Sequence, residues 1–397
     1  MFHPEYINPA KLITNTDILK LFELVEKHGG VLRFVGGAVR DAIAGIERSD
    51  IDLVTDMSPA EFSDMCIDEG IKCVPIGIQF FTTGVIINNS FFKVTSLASE
   101  EENSKDEWKN DAAHRDLTIN AVYADNKGNV FDYYNGIKDL EQGNIKFIGS
   151  PQETIETDYI RIMRFFRFCA MFGKHVDPKS LKACIKNKEL LHKVSLEKIK
   201  EELFKIIMAP HAVTALKLIF DNNILDFLIA PPKNIGNLGL LDSLIVHLGI
   251  SKSIIRRIYV MFEPDVKRAG RLADIFRLTK EQKEHLVELC KAHITLKSFK
   301  DTVSIRQTLF KYGKEICIDK WVCLNLDNSN IDFVKSILNT LYKTNTPSFP
   351  LSGKDLIDLG ADTKLIGLYL DGLKKDWFEG GCISSKEDLI EKYKAIF

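Results

Sequence analysis

The chain has 397 residues, 45% of them apolar and 27% charged, with 24 glycines and 12 prolines. That composition belongs to a globular chain with material for two or three cores, and it excludes collagen-like, low-complexity and disordered classes. A formal net charge of -2 excludes any argument from overall basicity, so a nucleic-acid partner has to be met by local basic surfaces.

The first residues, Met-Phe-His-Pro-Glu-Tyr, lack a basic region followed by an apolar run, and no apolar stretch reaches 18 residues. Eight cysteines are scattered without a Cys-x-x-Cys pair. They read as reduced thiols of a cytoplasmic protein with no membrane partner rather than a disulfide framework or zinc site.

Ile18, Leu21, Phe22 and Val25 recur at helical spacing and stop at Gly29-Gly30, which predicts a helix leading into a buried strand from Leu32 to Val35. Gly36-Gly37 then makes a turn into a short helix closed by Gly45, and a second strand is expected to start near Asp50. A side-chain-free turn at a helix N-terminus offers backbone N–H groups to an anion, and Arg40 adds a planar cation one turn on. Side chains two apart on a strand share a face, so Asp50 and Asp52 can share a hard cation such as Mg²⁺. Ser58-Pro59-Ala60-Glu61 is a capping box that starts a further helix, and β-rich runs follow at 71–76, 80–87 and 91–97.

Beyond about residue 153 strand signals nearly vanish, so the fold class is α+β, a small mixed-sheet head followed by a long all-α remainder. Residues 156–172 read as one apolar helix carrying Asp158, Arg161, Arg164 and Arg167 at a three-residue step. With so many phenylalanines beside them, these arginines are partly buried and need anionic or polar partners.

Three motifs together carry a resemblance. Gly36, Gly37, Val39, Arg40 and Asp41 followed by Asp50 and Asp52 complete a Gly-Gly-x-Val-Arg-Asp…Asp-x-Asp pattern; His114-Arg115-Asp116-Leu117-Thr118-Ile119-Asn120-Ala121 follows; and Asp132, Gly136, Asp139 and Leu140 close the head. The set resembles the signatures of the class II tRNA nucleotidyltransferase and poly(A) polymerase family, strongly over about 30–210 and patchily beyond. The resemblance implies a polymerase-β-like nucleotidyltransferase head over 1–150, a helical neck with a base-reading template over 151–215, and a helical body and tail that bind tRNA over 216–397.

It further implies that Asp50 and Asp52 hold catalytic Mg²⁺, that Gly36, Gly37, Arg40, Arg115, Asp116 and Asn120 bind the nucleotide, and that Asp132 with Gly136 and Asp139 joins head to neck in a hinge or structural role. Asp158 and Arg161 would read the base of CTP or ATP, supported by Arg164 and Arg167. Cytosine and adenine both set an amino donor beside a ring-nitrogen acceptor, which one carboxylate and one guanidinium can satisfy together. The implied activity is template-independent addition of the tRNA 3′-terminal CCA. The alternatives are poly(A) polymerase and a catalytically weakened RNA-binding homologue.

Several positions depart from the pattern. His114 replaces an arginine, Thr157 a glutamate, and Lys93 stands where an acid is usual, either pairing with the Asp-x-Asp carboxylates or pointing away. The acidic segment 98–110 is shorter than in similar enzymes and is expected to limit addition to CC. Lys252, Arg256, Arg257, Lys267, Arg268 and Arg271 are further candidates for RNA phosphate contacts.

Overall fold

A computed structural model describes residues 6–13, 15–46, 51–77, 81–97 and 107–396. It divides into two compact units, residues 1–224 and 225–397. Among the described residues no helix is long and apolar enough to cross a membrane.

The first unit is built on a seven-stranded mixed sheet ordered β3-β4-β5-β2-β1-β6-β7. Its strands are β1 (Leu32–Val35), β2 (Asp52–Thr55), β3 (Lys72–Gly77), β4 (Thr82–Ile87), β5 (Ser90–Ser96), β6 (Val122–Ala124) and β7 (Val130–Asp132). The β2–β5 pair is parallel and every other pairing is antiparallel. Alternation sends Phe34, Leu53, Val85, Phe92 and Val94 into one apolar core and Val35, Val54 and Tyr123 into a smaller one on the opposite face.

Helix α1 (Thr16–Lys27) is capped by Asn15, and α3 (Pro59–Asp68) starts with the capping box read from the sequence. Both pack against the larger core through Ile18, Leu21, Phe22, Phe62 and Met65. Between them, α2 (Gly37–Ala44) springs directly from β1 and ends at Gly45 in the left-handed conformation. Helix α4 (Glu107–His114) lies over the opposite face.

Asp132 accepts N–H bonds from Tyr134, Gly136 and Ile137 and so tightens the turn into α5 (Gly136–Gln142). A Cβ at Gly136 would collide with the Thr118 carbonyl oxygen, so only glycine lets α5 approach the 118–120 turn. Asp139 is buried and bonded to Thr118, Asn144 and Lys146.

The chain then turns helical through α6 (Pro151–Thr157), α7 (Arg161–Phe172), α8 (Pro178–Lys186), α9 (Leu196–Met208) and α10 (Ala212–Asp221), with one two-stranded interruption, β8 (Asn144–Ile145) against β9 (His175–Val176). The expected helix over 156–172 is corrected here. Asp158 is extended (φ -158°, ψ 111°) and its Oδ1 accepts the Ile160 N–H, so the local side-chain bond ends α6 and turns the chain before α7 begins at Arg161. Phe165, Phe166 and Phe168 anchor α7, each fully buried ring contributing about 1.5–3 kcal/mol.

The second unit contains ten helices among its described residues: α11 (Gly236–Leu248), α12 (Ile254–Phe262), α13 (Val266–Ile275), α14 (Lys280–Lys291), α15 (Thr302–Tyr312), α16 (Lys314–Leu324), α17 (Ile331–Lys343), α18 (Gly353–Asp358), α19 (Ile366–Glu379) and α20 (Lys386–Ile396). Its last three helices share a core around Leu356, Leu373, Trp377 and Leu389. The architecture is therefore a mixed-sheet head followed by helices throughout.

Candidate active site

A cavity of about 650 Å³ opens in the first unit where α2, β2, the end of α4 and the start of α7 converge. Gly36, Gly37, Arg40, Asp52, Arg115, Asp116, Asn120, Asp158, Arg161, Arg164 and Arg167 all line it. Every sequence-named site residue that the structure describes is thus in one place. Asp50 lies outside the described residues, as does most of the short acidic segment, 98–106.

Asp52 opens β2 and stands exposed in the cavity. Its register partner across the parallel ladder is Lys93 of β5. Parallel partners project from the same face, so Lys93 shares the side of Asp52 rather than pointing away. No salt bridge joins the two. Among the described residues no group of three or more metal-ligating side chains occurs, yet the hard oxygens of an exposed Asp52 suit one side of a Mg²⁺ site.

Behind the cavity lies a connected charge network. Arg40, nearly buried, donates from Nη1 to Asn120 Oδ1 at 2.5 Å and from Nε to Asp41 Oδ1 at 2.8 Å. Asn120 passes the chain on, its Nδ2 donating to Asp116 Oδ1 at 2.9 Å. Asp116 also accepts from Leu117 N at 2.8 Å and from Arg164 Nε at 2.6 Å. Burial alone would raise the Asp116 carboxyl, but the Arg164 guanidinium and these hydrogen bonds carry it down to about 2.

The neighbouring Arg115 faces the other way. Its Nη2 and Nε bond Asp111 Oδ2 at 2.9 and 3.1 Å, and Tyr123 donates to the same oxygen. Burial lowers the Arg115 guanidinium, and the adjacent Asp111 and Tyr123 more than restore it. Arg167 pairs with Glu202 of α9 at 3.1 Å and lies over the Phe168 ring, its guanidinium carbon 4.3 Å from the centroid.

Arg161 is held differently, by two backbone carbonyls: Nη2 donates to His114 O at 2.8 Å and Nη1 to Thr154 O at 3.2 Å. A guanidinium carries five N–H donors, so these bonds orient the fork and leave donors for a ligand. Desolvation depresses its pKa. Asp158, exposed in the same cavity, spends one oxygen on the Ile160 N–H and keeps the other.

Sequence reasoning missed Asp111, Tyr123, Thr154 and Glu202 as holders of these arginines. Asp111 was legible as the i–4 partner of Arg115; Glu202 lies 35 positions from Arg167 and had no local signal. In the second unit the structure corrects two RNA-contact candidates. Arg257 is fully buried in an ion pair with Asp242, and Arg256, 5% exposed, reaches Asp319 and the Ser251 carbonyl. Both are engaged by internal partners rather than standing on a solvated helix face. Lys267 and Arg271 stay exposed.

Two family models match the chain: the poly A polymerase head domain over residues 32–146 and the probable RNA and SrmB-binding site of polymerase A over 174–232. The human mitochondrial CCA tRNA nucleotidyltransferase 1 is 29% identical over 94% of this chain and 89% of its own length. A CCA-adding enzyme of Ligilactobacillus salivarius is 25% identical over 95% and 96%. Among solved structures, the Bacillus stearothermophilus CCA-adding enzyme in complex with CTP shares the fold at a TM-score of 0.71 and 20% identity, covering 98% of both chains. The Thermotoga maritima CCA-adding enzyme complexed with tRNA does so at 0.67 and 18%, again over 98% of both.

Proposed function

The chain belongs to the tRNA nucleotidyltransferase and poly(A) polymerase family, and from that premise we propose that it builds the 3′-terminal CCA of tRNA, transferring CMP and AMP from CTP and ATP with release of pyrophosphate. The single observation that carries this reading is the placement of Arg161 and Asp158 in the same cavity as Asp52. Two carbonyl bonds set the guanidinium in orientation, and the second Asp158 carboxylate oxygen remains available in the same cavity. That pairing suits a cytosine or adenine edge and leaves uracil and guanine with like groups facing like.

Asp52 with Asp50 would hold Mg²⁺, which when bound neutralises phosphate charge and favours attack of the RNA 3′-hydroxyl on the α-phosphate. The chain's own groups do the rest. The N–H groups at Gly36-Gly37 and the guanidiniums of Arg40 and Arg115 receive the triphosphate. Both guanidiniums are already oriented by Asp41, Asn120 and Asp111, so little side-chain freedom is lost on binding. Asn120 stands beside them for the sugar. Residues 1–150 supply the chemistry, 151–215 the base reading and 216–397 the hold on tRNA; the head-domain match over 32–146 supports the first of these assignments. Its eight free thiols suit a reducing compartment, and we assign it to the cytoplasm.

The test is incubation of the protein with a tRNA transcript lacking CCA, Mg²⁺ and each nucleotide, with products resolved at single-nucleotide length. Addition of C, C and A is expected, with UTP and GTP refused, and Asp52→Ala should abolish addition while leaving tRNA affinity intact. Extension of unstructured RNA by ATP alone would replace this reading with poly(A) synthesis. The short acidic segment at 98–110 favours a narrower form, and a stop after CC on the same gel would establish it.

A further inference from the structure

The outer half of the sheet suggests where the RNA strand lies. On the face that carries Asp52, the strands β1, β2 and β6 are covered by Ala112 of α4, by Tyr123 and by Leu97. The same face of β3, β4 and β5 presents Lys72, Val74 and Ile76, then Gly84 and Ile86, then Phe91 and Lys93. There the apolar side chains are open to solvent: Phe91 is 52% exposed, Ile76 49% and Val74 40%. The residues between them on these strands, Cys73, Val85, Phe92 and Val94, point into the core.

This surface is flat because Gly84 has no side chain. A Cβ there would sit 2.6 Å from Ile76 Cδ1 and 2.8 Å from Phe91 Cε2, so ring and aliphatic side chain close over the glycine. Lys93 flanks the patch beside Asp52, and Lys72 flanks its far edge. Neither lysine forms an ion pair among the described residues. Three interstrand steps of about 4.8 Å carry the strip about 14 Å from Asp52 to β3.

We propose that this open face of β3–β5 is the platform for the single-stranded 3′ end of the RNA acceptor, with a base on the Phe91 ring and phosphates toward Lys93 and Lys72. Two features choose this occupant. The strip is continuous with the cavity at Asp52, so a strand lying on it delivers its 3′ end to the site of chemistry. An aromatic surface flanked by lysines that form no ion pair among the described residues also has the stacking and charge of a single-strand site, and two or three bases are what a sheet face of this kind holds. The inference rests on the nucleotidyltransferase reading above, and its test separates the two.

A tRNA lacking CCA with 5-iodouridine at its 3′ terminus is irradiated with the full-length protein, and the crosslinked peptide is mapped by mass spectrometry. In parallel, acceptor and CTP KM values are measured for the wild type, Phe91→Leu and Lys93→Ala. Phe91→Leu keeps an apolar cover over Gly84 and removes only the ring. Crosslinking within residues 90–96 is expected, with an acceptor KM raised about tenfold by Phe91→Leu and an unchanged CTP KM. Lys93→Ala should reduce the slope of log affinity against log salt by about 0.7. Active wild-type protein that crosslinks elsewhere, with an acceptor KM indifferent to Phe91→Leu, would overturn the platform and leave the activity standing. A self-association lost in Phe91→Leu without any acceptor effect would assign the patch to a second copy instead. Crosslinking within 90–96 by a protein that adds no nucleotide would keep the platform and remove the activity.

Discussion

Asp116 is the most constrained side chain of the site. It is 5% exposed, yet four groups hold its charge in place or respond to it: the Arg164 guanidinium, the Asn120 amide, the Leu117 N–H and, through Asn120, Arg40. Asp116→Asn would leave Arg164 facing a neutral amide and disturb the amide that orients Arg40. Breaking a fully buried pair from one side costs about 3–5 kcal/mol; Arg164 is 35% exposed and water can take over part of its solvation, so urea denaturation should register a smaller loss than that together with a fall in nucleotide addition. The carboxyl pKa is depressed from 3.8 to about 2. The pair's contribution is therefore full above about pH 4 and disappears as the pH falls toward 2. The adjacent Arg115 and Asp116 form no pair with each other: Arg115 turns to Asp111 one helical turn back, whereas Arg164 lies 48 positions from Asp116 and had no local signal.

At the scale of elements, the junction of β1 and α2 is set by Gly36, whose φ of 63° and ψ of -119° lie outside the left-handed helical well. That conformation is accessible essentially to glycine alone. A Cβ there would meet Asn120 O only at 3.5 Å, so the penalty of Gly36→Ala is backbone strain rather than a clash. Stability should fall by about 1–3 kcal/mol, whereas Gly37→Ala, inside the helix, should cost nothing or stabilise slightly. Equal losses in the two variants, measured by denaturant titration, would refute the strain argument. The α6–α7 break is the element the periodicity misread. Asp158 continues the three-residue charge step, but its carboxylate bonds the Ile160 N–H in the extended link between α6 and α7, so it does not share a helical stripe with Arg161.

Over the whole molecule, two units with separate cores should unfold as separate transitions in calorimetry. They also differ in pH response. In the second unit His285 Nε2 lies 2.8 Å from Asp319, with Glu315 and Arg256 nearby, and its pKa is raised above 6.5 chiefly by the Asp319 hydrogen bond. A raised histidine contributes stability that is full below its unfolded value and is lost as pH rises through its folded one. Raising the pH from 6.5 should therefore lower the transition of residues 225–397 and leave that of 1–224 in place. His285→Gln should remove the shift; a pH dependence that survives it would reject the assignment.

Local chemistry determined the parts of this protein that short sequence spans encode. Caps, glycine turns and period-two alternation act over a few residues, so the helix after Gly36, the capping box at Ser58, the run of strands and the change to helices near residue 153 were all legible, as were many, though not all, of the groups that line the cavity. Tertiary structure alone decided how those groups are held. Glu202 beneath Arg167, the His114 and Thr154 carbonyls on Arg161, Lys93 level with Asp52, and the burial of Arg256 and Arg257 depend on contacts between distant positions. A charged side chain chooses its partner in three dimensions, where desolvation and geometry outweigh its neighbours along the chain.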